Sequence, residues 1–283
     1  MDYHSQLKEL IKNALAEDIG SGDYSTLSTI DAIAGGKAIL KIKQEGILAG
    51  VKVAEDIFKY VEEDVSFLAF KKDGDTMLPG EKAFDIEAKV HTILKCERLV
   101  LNIMQRMSGI ASLTAKYVKK LEGYSTQLLD TRKTTPNFRL LEKEAVRIGG
   151  AVNHRFGLYD MIMLKDNHID YCGGIEKAIN KAYTYVQQNT LGLKIEVEAR
   201  NLEDVNKIIN NGKVNRIMLD NFTPENLFTA IKIIAGAYET EASGGINYHN
   251  IEAYAATGVD YISSGAIIHQ AVSLDLSLKA MQV

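Results

Sequence analysis

"LKIEVEARNLEDVNKIINNGKVNRIMLDNFTPENLFTAIKIIAGAYETEASGGI" occupies Leu193–Ile246, and its reading decides the fold. Three short apolar runs in it, LKIEVEAR, NRIMLDN and YETEASGG, end in polar residues, and helical segments separate them. That order is the βα repeat of a parallel sheet or barrel. QLLDTRKT and DMIMLKDNH upstream, and DYISSGA downstream, have the same form. Their ends, Asp130, Lys165, Glu198, Asp220, Ser243 and Ser264, lie some 20 to 35 residues apart, room for a strand, a loop and a helix each. Six strands are clear, so the expectation is an α/β fold whose β/α barrel falls short of eight strands.

The first half reads differently. Residues 2–19 carry the spacing of an amphipathic helix. GGKAILKIKQEGILAG reads as strand with a glycine turn, and VKVAEDIFKYVEED as a second helix. SFLAFKKDGDTMLPGEKAFDIEAKV alternates like strands around Gly, Asp and Pro turns. A long helical pattern follows, with Leu94, Leu99, Ile103, Met107, Ile110 and Leu113 as its apolar stripe and Ser108-Gly109 as a candidate bend. The expected division is an α+β domain over 1–107 and a barrel over 108–267, with 268–283 as a candidate return to the first domain.

Composition excludes several classes. The chain has 283 residues, 46% hydrophobic and 25% charged, with a formal net charge of −4. Those are ordinary globular values. There is no run of uncharged apolar residues long enough to span a membrane, and no signal-peptide core at the N-terminus. A cytoplasmic location is the resulting expectation. Cys96 and Cys172 form no CxxC or Cys/His set, so neither a disulfide framework nor structural zinc is expected. The mild negative charge, without basic blocks, points away from nucleic acid.

Against that acidity, Asp130–His168 concentrates cations: Arg132, Lys133, Arg139, Lys143, Arg147, Arg155 and Lys165, with His154 and His168 beside them. In a β/α barrel the C-terminal strand ends share one mouth. Arg132, Lys133 and Lys165 stand just past strands and are read as functional, with His154 and Arg155 overhanging the same mouth. Arg139, Lys143 and Arg147 lie at helical spacing and read as a solvated helix face or a subunit contact. EASGGI and ISSGAI are small-residue turns, where Gly244, Gly245 and Gly265 let backbone N–H groups approach a phosphate and a following helix adds positive potential. Glu198 and Asp220 suit sugar hydroxyls or hydrated Mg²⁺, or alternatively pair with Lys165 or Arg132. Glu196 points inward by strand alternation and is the deeper, structural one of the two glutamates. No GxSxG, HExxH or GxGxxG occurs. The residues fit a site gripping a phosphorylated sugar and a second, carboxylated anion; a phosphosugar isomerase and a non-catalytic anion-binding barrel stay open.

ERLVLNIMQRMSGIAS, DTRKTTPNFRLLEKEAV, GGAVNHRFGLYDMIMLKDNHI, EVEA, MLDN, EASGGI and TGVDYISSGAI, in this order, resemble the quinolinate phosphoribosyltransferase family. AEDIGSGD near the start and LDLSLK near the end extend the resemblance over nearly the whole chain. It implies an N-terminal α/β sandwich domain plus a C-terminal incomplete barrel of about seven strands. It implies a homodimer with shared active sites, with a hexamer as the larger candidate assembly. The implied reaction takes quinolinate and 5-phosphoribosyl 1-diphosphate (PRPP), with Mg²⁺ that is not tightly bound, to nicotinate mononucleotide, CO₂ and diphosphate in NAD biosynthesis. Arg132, His154, Arg155 and Lys165 would then hold quinolinate, with Arg98 reaching in from the neighbouring subunit. Lys133 would lie between the substrates, with Thr134 beside it. Glu198 and Asp220 would meet ribose and metal, Ser243, Gly244, Gly245, Ser264, Gly265 and Ala266 would take phosphate, and Lys133, Glu198 and Asp220 would be catalytic. The family's usual TTPG reads TTPN here, and its GGG before NHR reads GGA. A molybdate-transport-associated branch resembles the same fold; the retained NHR and KDNH favour the quinolinate branch.

Overall fold

Asp2 starts the first helix, its side chain accepting from the Ser5 amide at 3.0 Å, in a computed structural model that describes residues 2–281. The chain divides into two units. One comprises the chain up to Ala115, Thr134–Gly150 and the residues from Ile268 on; the other comprises Lys116–Lys133 and Ala151–Ile267.

In chain order the elements begin with α1 (Tyr3–Ile19), α2 (Tyr24–Thr29), β1 (Gly35–Ile42), β2 (Gly46–Ile47) and α3 (Val51–Val61). β3 (Ser66–Ala69), β4 (Thr76–Met77), β5 (Lys82–Lys89) and α4 (Val90–Lys120) follow. β1 pairs antiparallel with β5, and β5 with β3. The final strand, Leu276–Ala280, adds to the free side of β1. Ile57 and Phe58 of α3 are fully buried, and Phe58 meets Phe67 and Phe84 of the sheet. Burying one such side chain is worth about 1.5–3 kcal/mol, so this aromatic cluster is a principal anchor of helix to sheet.

α4 runs 31 residues. Its buried seam is Ile93, Cys96, Val100, Ile103, Met107 and Ile110, whereas Leu94 is exposed. The expected stripe is therefore correct at Ile103, Met107 and Ile110, one position off at its start, and ends on Leu113, which is half-buried. The helix continues unbroken through Ser108-Gly109. Ser108 Oγ accepts from the Ala49 amide at 3.0 Å, and Ser112 Oγ from the Ile47 amide at 2.7 Å. Gly109 permits close approach rather than a bend: a Cβ there would fall 2.1 Å from the Val272 carbonyl oxygen. A mid-helix Gly→Ala change ordinarily stabilises by about 1 kcal/mol. Here Gly109→Ala lowers Tm in a thermal melt; a rise would show that Val272 does not sit against this helix. Burial pushes the Cys96 thiol up to about 12, and both cysteines are free.

The remaining elements are β6 (Gln127–Leu129), α5 (Arg139–Ile148), β7 (Ile162–Leu164), α6 (Asp166–Cys172), α7 (Ile175–Asn189), β8 (Ile195–Ala199) and α8 (Leu202–Asn211). After them come β9 (Arg216–Asp220), α9 (Pro224–Ile234), β10 (Glu239–Ser243), α10 (Ile251–Ala255), β11 (Tyr261–Ser263), α11 (Ala266–His269) and β12 (Leu276–Ala280). Six strands form one parallel sheet in the order β6-β11-β10-β9-β8-β7. These are the six strands read from the βα repeat. A single parallel bridge from Val152 to Leu129 marks a seventh position beside β6. Asn201 and Thr223 cap α8 and α9, and Pro224 opens α9 where its missing N–H has no helical partner to lose.

The compact units divide the chain differently from the expected boundaries. The first unit extends to Ala115 rather than 107, and it also takes 134–150, which the sequence reading left inside the barrel. The reason is Glu142, fully buried on α5. Its carboxylate accepts from Arg106 Nε and Nη2 at 3.0 and 2.8 Å and from the Thr135 amide at 2.8 Å. Arg106 also donates to the Ala271 and Ile268 carbonyls at 2.7 and 2.9 Å. Three separate segments thus share one ion pair. Of the expected solvated face only Arg147 fits, exposed and paired with Glu144. Lys143 is 1% exposed, and Arg139 donates to Thr134 Oγ1 at 3.0 Å. Asn137, where the resembling family has glycine, has φ 62°; asparagine is among the few non-glycine residues that accept this region readily.

Candidate active site

Register sets the strand ends side by side. Ser243 of β10 lies level with Asp220 of β9, and Leu219 with Ala199 of β8. Val197 of β8 lies level with Leu164 of β7, and Leu129 of β6 with Ser263 of β11. The residues just past these positions therefore emerge from one edge of one sheet.

Arg132 is half-buried and Lys133 exposed, three and four residues past β6. The connection to β7 carries His154 and Arg155. Asp130, fully buried at the end of β6, accepts from the His154 amide at 2.8 Å. Arg155 Nη1 donates to the Met161 carbonyl at 3.2 Å, and Asp160 holds the Phe156 and Gly157 amides at 2.6 and 2.9 Å. Burial, and then the charge of Arg132, hold the Arg155 guanidinium below its ordinary value. Glu196 and Asp160 act in the opposite sense, and an anion bound near the two cations would relieve the remaining repulsion. Lys165, ahead of α6, donates from Nζ to Glu198 Oε2 at 3.2 Å, while the Asp166 amide reaches Glu198 Oε1 at 3.4 Å.

Beneath this layer lies a buried polar group. His154 Nε2 is 3.1 Å from Glu196 Oε2 and 3.1 Å from Glu241 Oε2. Arg216 Nη1 donates to Glu241 at 3.1 Å, and its other nitrogens donate to Glu239. Glu196 is the deeper glutamate of β8, as strand alternation indicated. Desolvation opposes a charged imidazole, whereas the two carboxylates favour one. A cationic ring would need a proton on Nδ1, where the Arg155 N–H already points at 2.6 Å. With Nδ1 so engaged the ring is neutral, and burial together with the Glu241 charge pushes Glu196 up to about 7.

The phosphate turns differ from expectation in one respect. Gly244 and Gly245 have φ 93° and 63°, so the SGG turn does need glycine. No long helix follows, however. Asn247 and Asn250 side chains bond neighbouring backbone groups, Asn250 Oδ1 accepting from the Asn247 amide at 2.7 Å. Such local bonds compete with helix, and α10 starts only at Ile251 and has 5 residues. Ser264 directs both its amide and its hydroxyl to carbonyls, of Leu129 at 3.1 Å and Ile246 at 3.0 Å. Gly265 and Ala266 remain at the head of the 4-residue α11. Thr134 and Arg98 belong to the first unit, Thr134 half-buried and Arg98 exposed.

Two family models cover the chain in succession: the quinolinate phosphoribosyl transferase N-terminal domain over residues 23–108 and its C-terminal domain over residues 110–279. The chain belongs to the quinolinate phosphoribosyltransferase family. Within this family it is 42% identical over 275 residues to the probable nicotinate-nucleotide pyrophosphorylase [carboxylating] of Bacillus subtilis, covering 97% of this chain and 93% of that one. It is 41% identical to quinolinate phosphoribosyltransferase [decarboxylating] 1 of Nicotiana glauca, covering 96% of this chain and 82% of that one. The crystal structure of NadC from Streptococcus pyogenes matches at TM-score 0.90 and 42% identity, covering 98% of each chain.

Three residues that brace these groups escaped the sequence reading: Arg216, Glu241 and Asn221. Arg216 and Glu241 carried a usable signal. In RIMLD and ETEAS they alternate onto the face that holds Asp220 and Ser243. Asn221 has φ 57°, its amide donates to Ser243 O at 2.8 Å, and its side chain donates to Asp220. A Cβ on Gly244 would lie 2.2 Å from Asn221 Oδ1. Nothing in the string MLDN announces that brace.

Proposed function

We propose that this chain transfers the phosphoribosyl group of PRPP to the ring nitrogen of quinolinate, with loss of diphosphate and CO₂, to give nicotinate mononucleotide. The observation that carries this reading is the family match along nearly the whole chain. Beside it stand Arg132 and Arg155, like charges of which the first, after burial, holds the second's guanidinium below its ordinary value. Two unit charges about 4 Å apart interact by roughly 4 kcal/mol at an effective dielectric of 20. A diacid converts that repulsion into attraction. Arg132, Arg155 and Lys165 take the carboxylates, with His154 in the wall behind them and Arg98 supplied by a second copy of the chain in a homodimer. Lys133 and Thr134 lie between the substrates, and Ser243–Gly245 and Gly265–Ala266 take phosphate, Ser264 having both its donors spent on carbonyls.

Glu198 and Asp220 offer hard oxygen donors that would hold Mg²⁺ entering with PRPP, and the ion would neutralise charge on the diphosphate. As the ribosyl carbon becomes oxocarbenium-like, these carboxylates stabilise its positive charge. The pyridine nitrogen attacks as diphosphate leaves. The nitrogen is then quaternary, so the carbanion left by departing CO₂ sits beside a positive charge and takes a proton from solvent. Positioning and electrostatics supply the rate, with no covalent protein intermediate. No helix among the described residues is long and apolar enough to cross a membrane, and the reading places the enzyme in the cytoplasm.

Mixing the protein with PRPP, Mg²⁺ and quinolinate yields CO₂ and nicotinate mononucleotide in equal amounts. Turnover of nicotinate in place of quinolinate, or none with either, rejects the reading.

A further inference from the structure

Both ring nitrogens of His154 face the protein. Nδ1 accepts from the Arg155 amide at 2.6 Å, so in the neutral ring the proton is on Nε2. That proton lies between Glu196 and Glu241, each 3.1 Å away and each fully buried. The same three residues offer a ligand atom apiece within 4.8 Å of one another. A metal there is nevertheless disfavoured. A protonated Nε2 has no lone pair to donate, and the Arg216 guanidinium, 3.1 Å from Glu241, supplies the positive charge that an ion would bring. Arg216 is itself fixed, its guanidinium carbon 4.1 Å above the Tyr261 ring.

We propose that His154 is a positioning residue for Arg155, anchored from below by the Glu196–Glu241 pair, rather than a ligand of quinolinate. The anchor acts at the backbone. The Glu196–Glu241 pair fixes the ring, the ring fixes the Arg155 amide, and the Met161 carbonyl fixes the guanidinium at 3.2 Å. Asp160 stiffens the turn between them through the Phe156 and Gly157 amides. The role rests on the reading that Arg155 meets a quinolinate carboxylate.

Two polar substitutions separate the ends of the ring. His154→Asn keeps an acceptor near the Nδ1 position and loses the reach to the glutamates; His154→Gln keeps a donor near the Nε2 position and loses the acceptor. Each is made alone and with Arg155→Ala, and calorimetry reads Kd for quinolinate and for PRPP. Loss of one such hydrogen bond is worth about tenfold in affinity. His154→Gln therefore weakens quinolinate about tenfold, while His154→Asn, which keeps the acceptor but loses its anchor, weakens it by a smaller factor of about threefold. PRPP binding is unchanged in both, which a general loss of structure would not allow. In the Arg155→Ala background neither substitution has a further effect on quinolinate, because neighbours acting through one group are not additive. The proposal is overturned if His154→Gln binds normally while His154→Asn does not, or if the His154 effects persist without Arg155. Should Arg155→Ala alone leave quinolinate affinity intact, the assignment of the quinolinate site falls and the proposal with it.

Discussion

Replacing Arg132 with alanine raises KM for quinolinate by about two orders of magnitude and leaves KM for PRPP within about threefold. The cause is the loss of a charge-assisted contact to a carboxylate in a partly desolvated site. Such a contact is worth roughly 1.5–3 kcal/mol, and the charge itself adds attraction across the remaining distance. Arg132→Lys recovers only part of the loss, since a point charge does not reproduce a planar two-donor fork. The control is Lys165→Ala. Lys165 also neutralises Glu198, which is 5% exposed, so its removal disturbs both substrates. Steady-state kinetics with each substrate varied in turn distinguishes the two patterns. Equal loss of both affinities in Arg132→Ala contradicts the assignment of Arg132 to the diacid.

The second large effect concerns stability. Arg106→Ala leaves the Glu142 carboxylate buried without its cation, and breaking a buried pair in this way costs about 3–5 kcal/mol. For a domain of this size that lowers Tm by about 10 °C. It also releases the Ala271 and Ile268 carbonyls, which Arg106 now holds. The paired change Arg106→Met with Glu142→Leu restores most of the loss, because the expense lies in the unpaired charge rather than in the absence of a salt bridge. Differential scanning calorimetry of the three variants decides it. A single-variant Tm within about 2 °C of the wild type would show that Glu142 is neutralised by other means.

The barrel was legible because a parallel strand buried on both faces must be apolar along its length and polar at its ends. RIMLD obeys that rule; IEVE and ETEAS break it with glutamates that are buried in the structure, and β8, β9 and β10 still appear where expected. The assignment of α5 was not legible. NFRLLEKEAVR has the charge pattern of an exposed helix, yet Glu142 and Lys143 are buried. Arg106, which pairs with Glu142, lies on a distant helix, and no local period records it. At the site, charge on strand ends was readable, because Arg132, Lys165, Glu198 and Asp220 interrupt apolar runs. What His154 touches was not. Its ring is fixed by Glu196, Glu241 and the amide of the next residue, a meeting of two strands and a loop that only the folded sheet creates. Asn137 shows the intermediate case: a departure from the family motif in sequence, explained once its positive φ is known.

Calorimetric titration of the intact protein with pyridine-2,3-dicarboxylate and, separately, pyridine-3-carboxylate, each with and without Mg²⁺ and a non-reactive PRPP analogue, tests most directly whether the cations form one diacid site. The second carboxylate meets the paired guanidinium groups, so the dicarboxylate binds at least about tenfold more tightly, and Arg132→Ala erases that margin. Equal affinities for the two acids, or a margin that survives Arg132→Ala, would contradict the account.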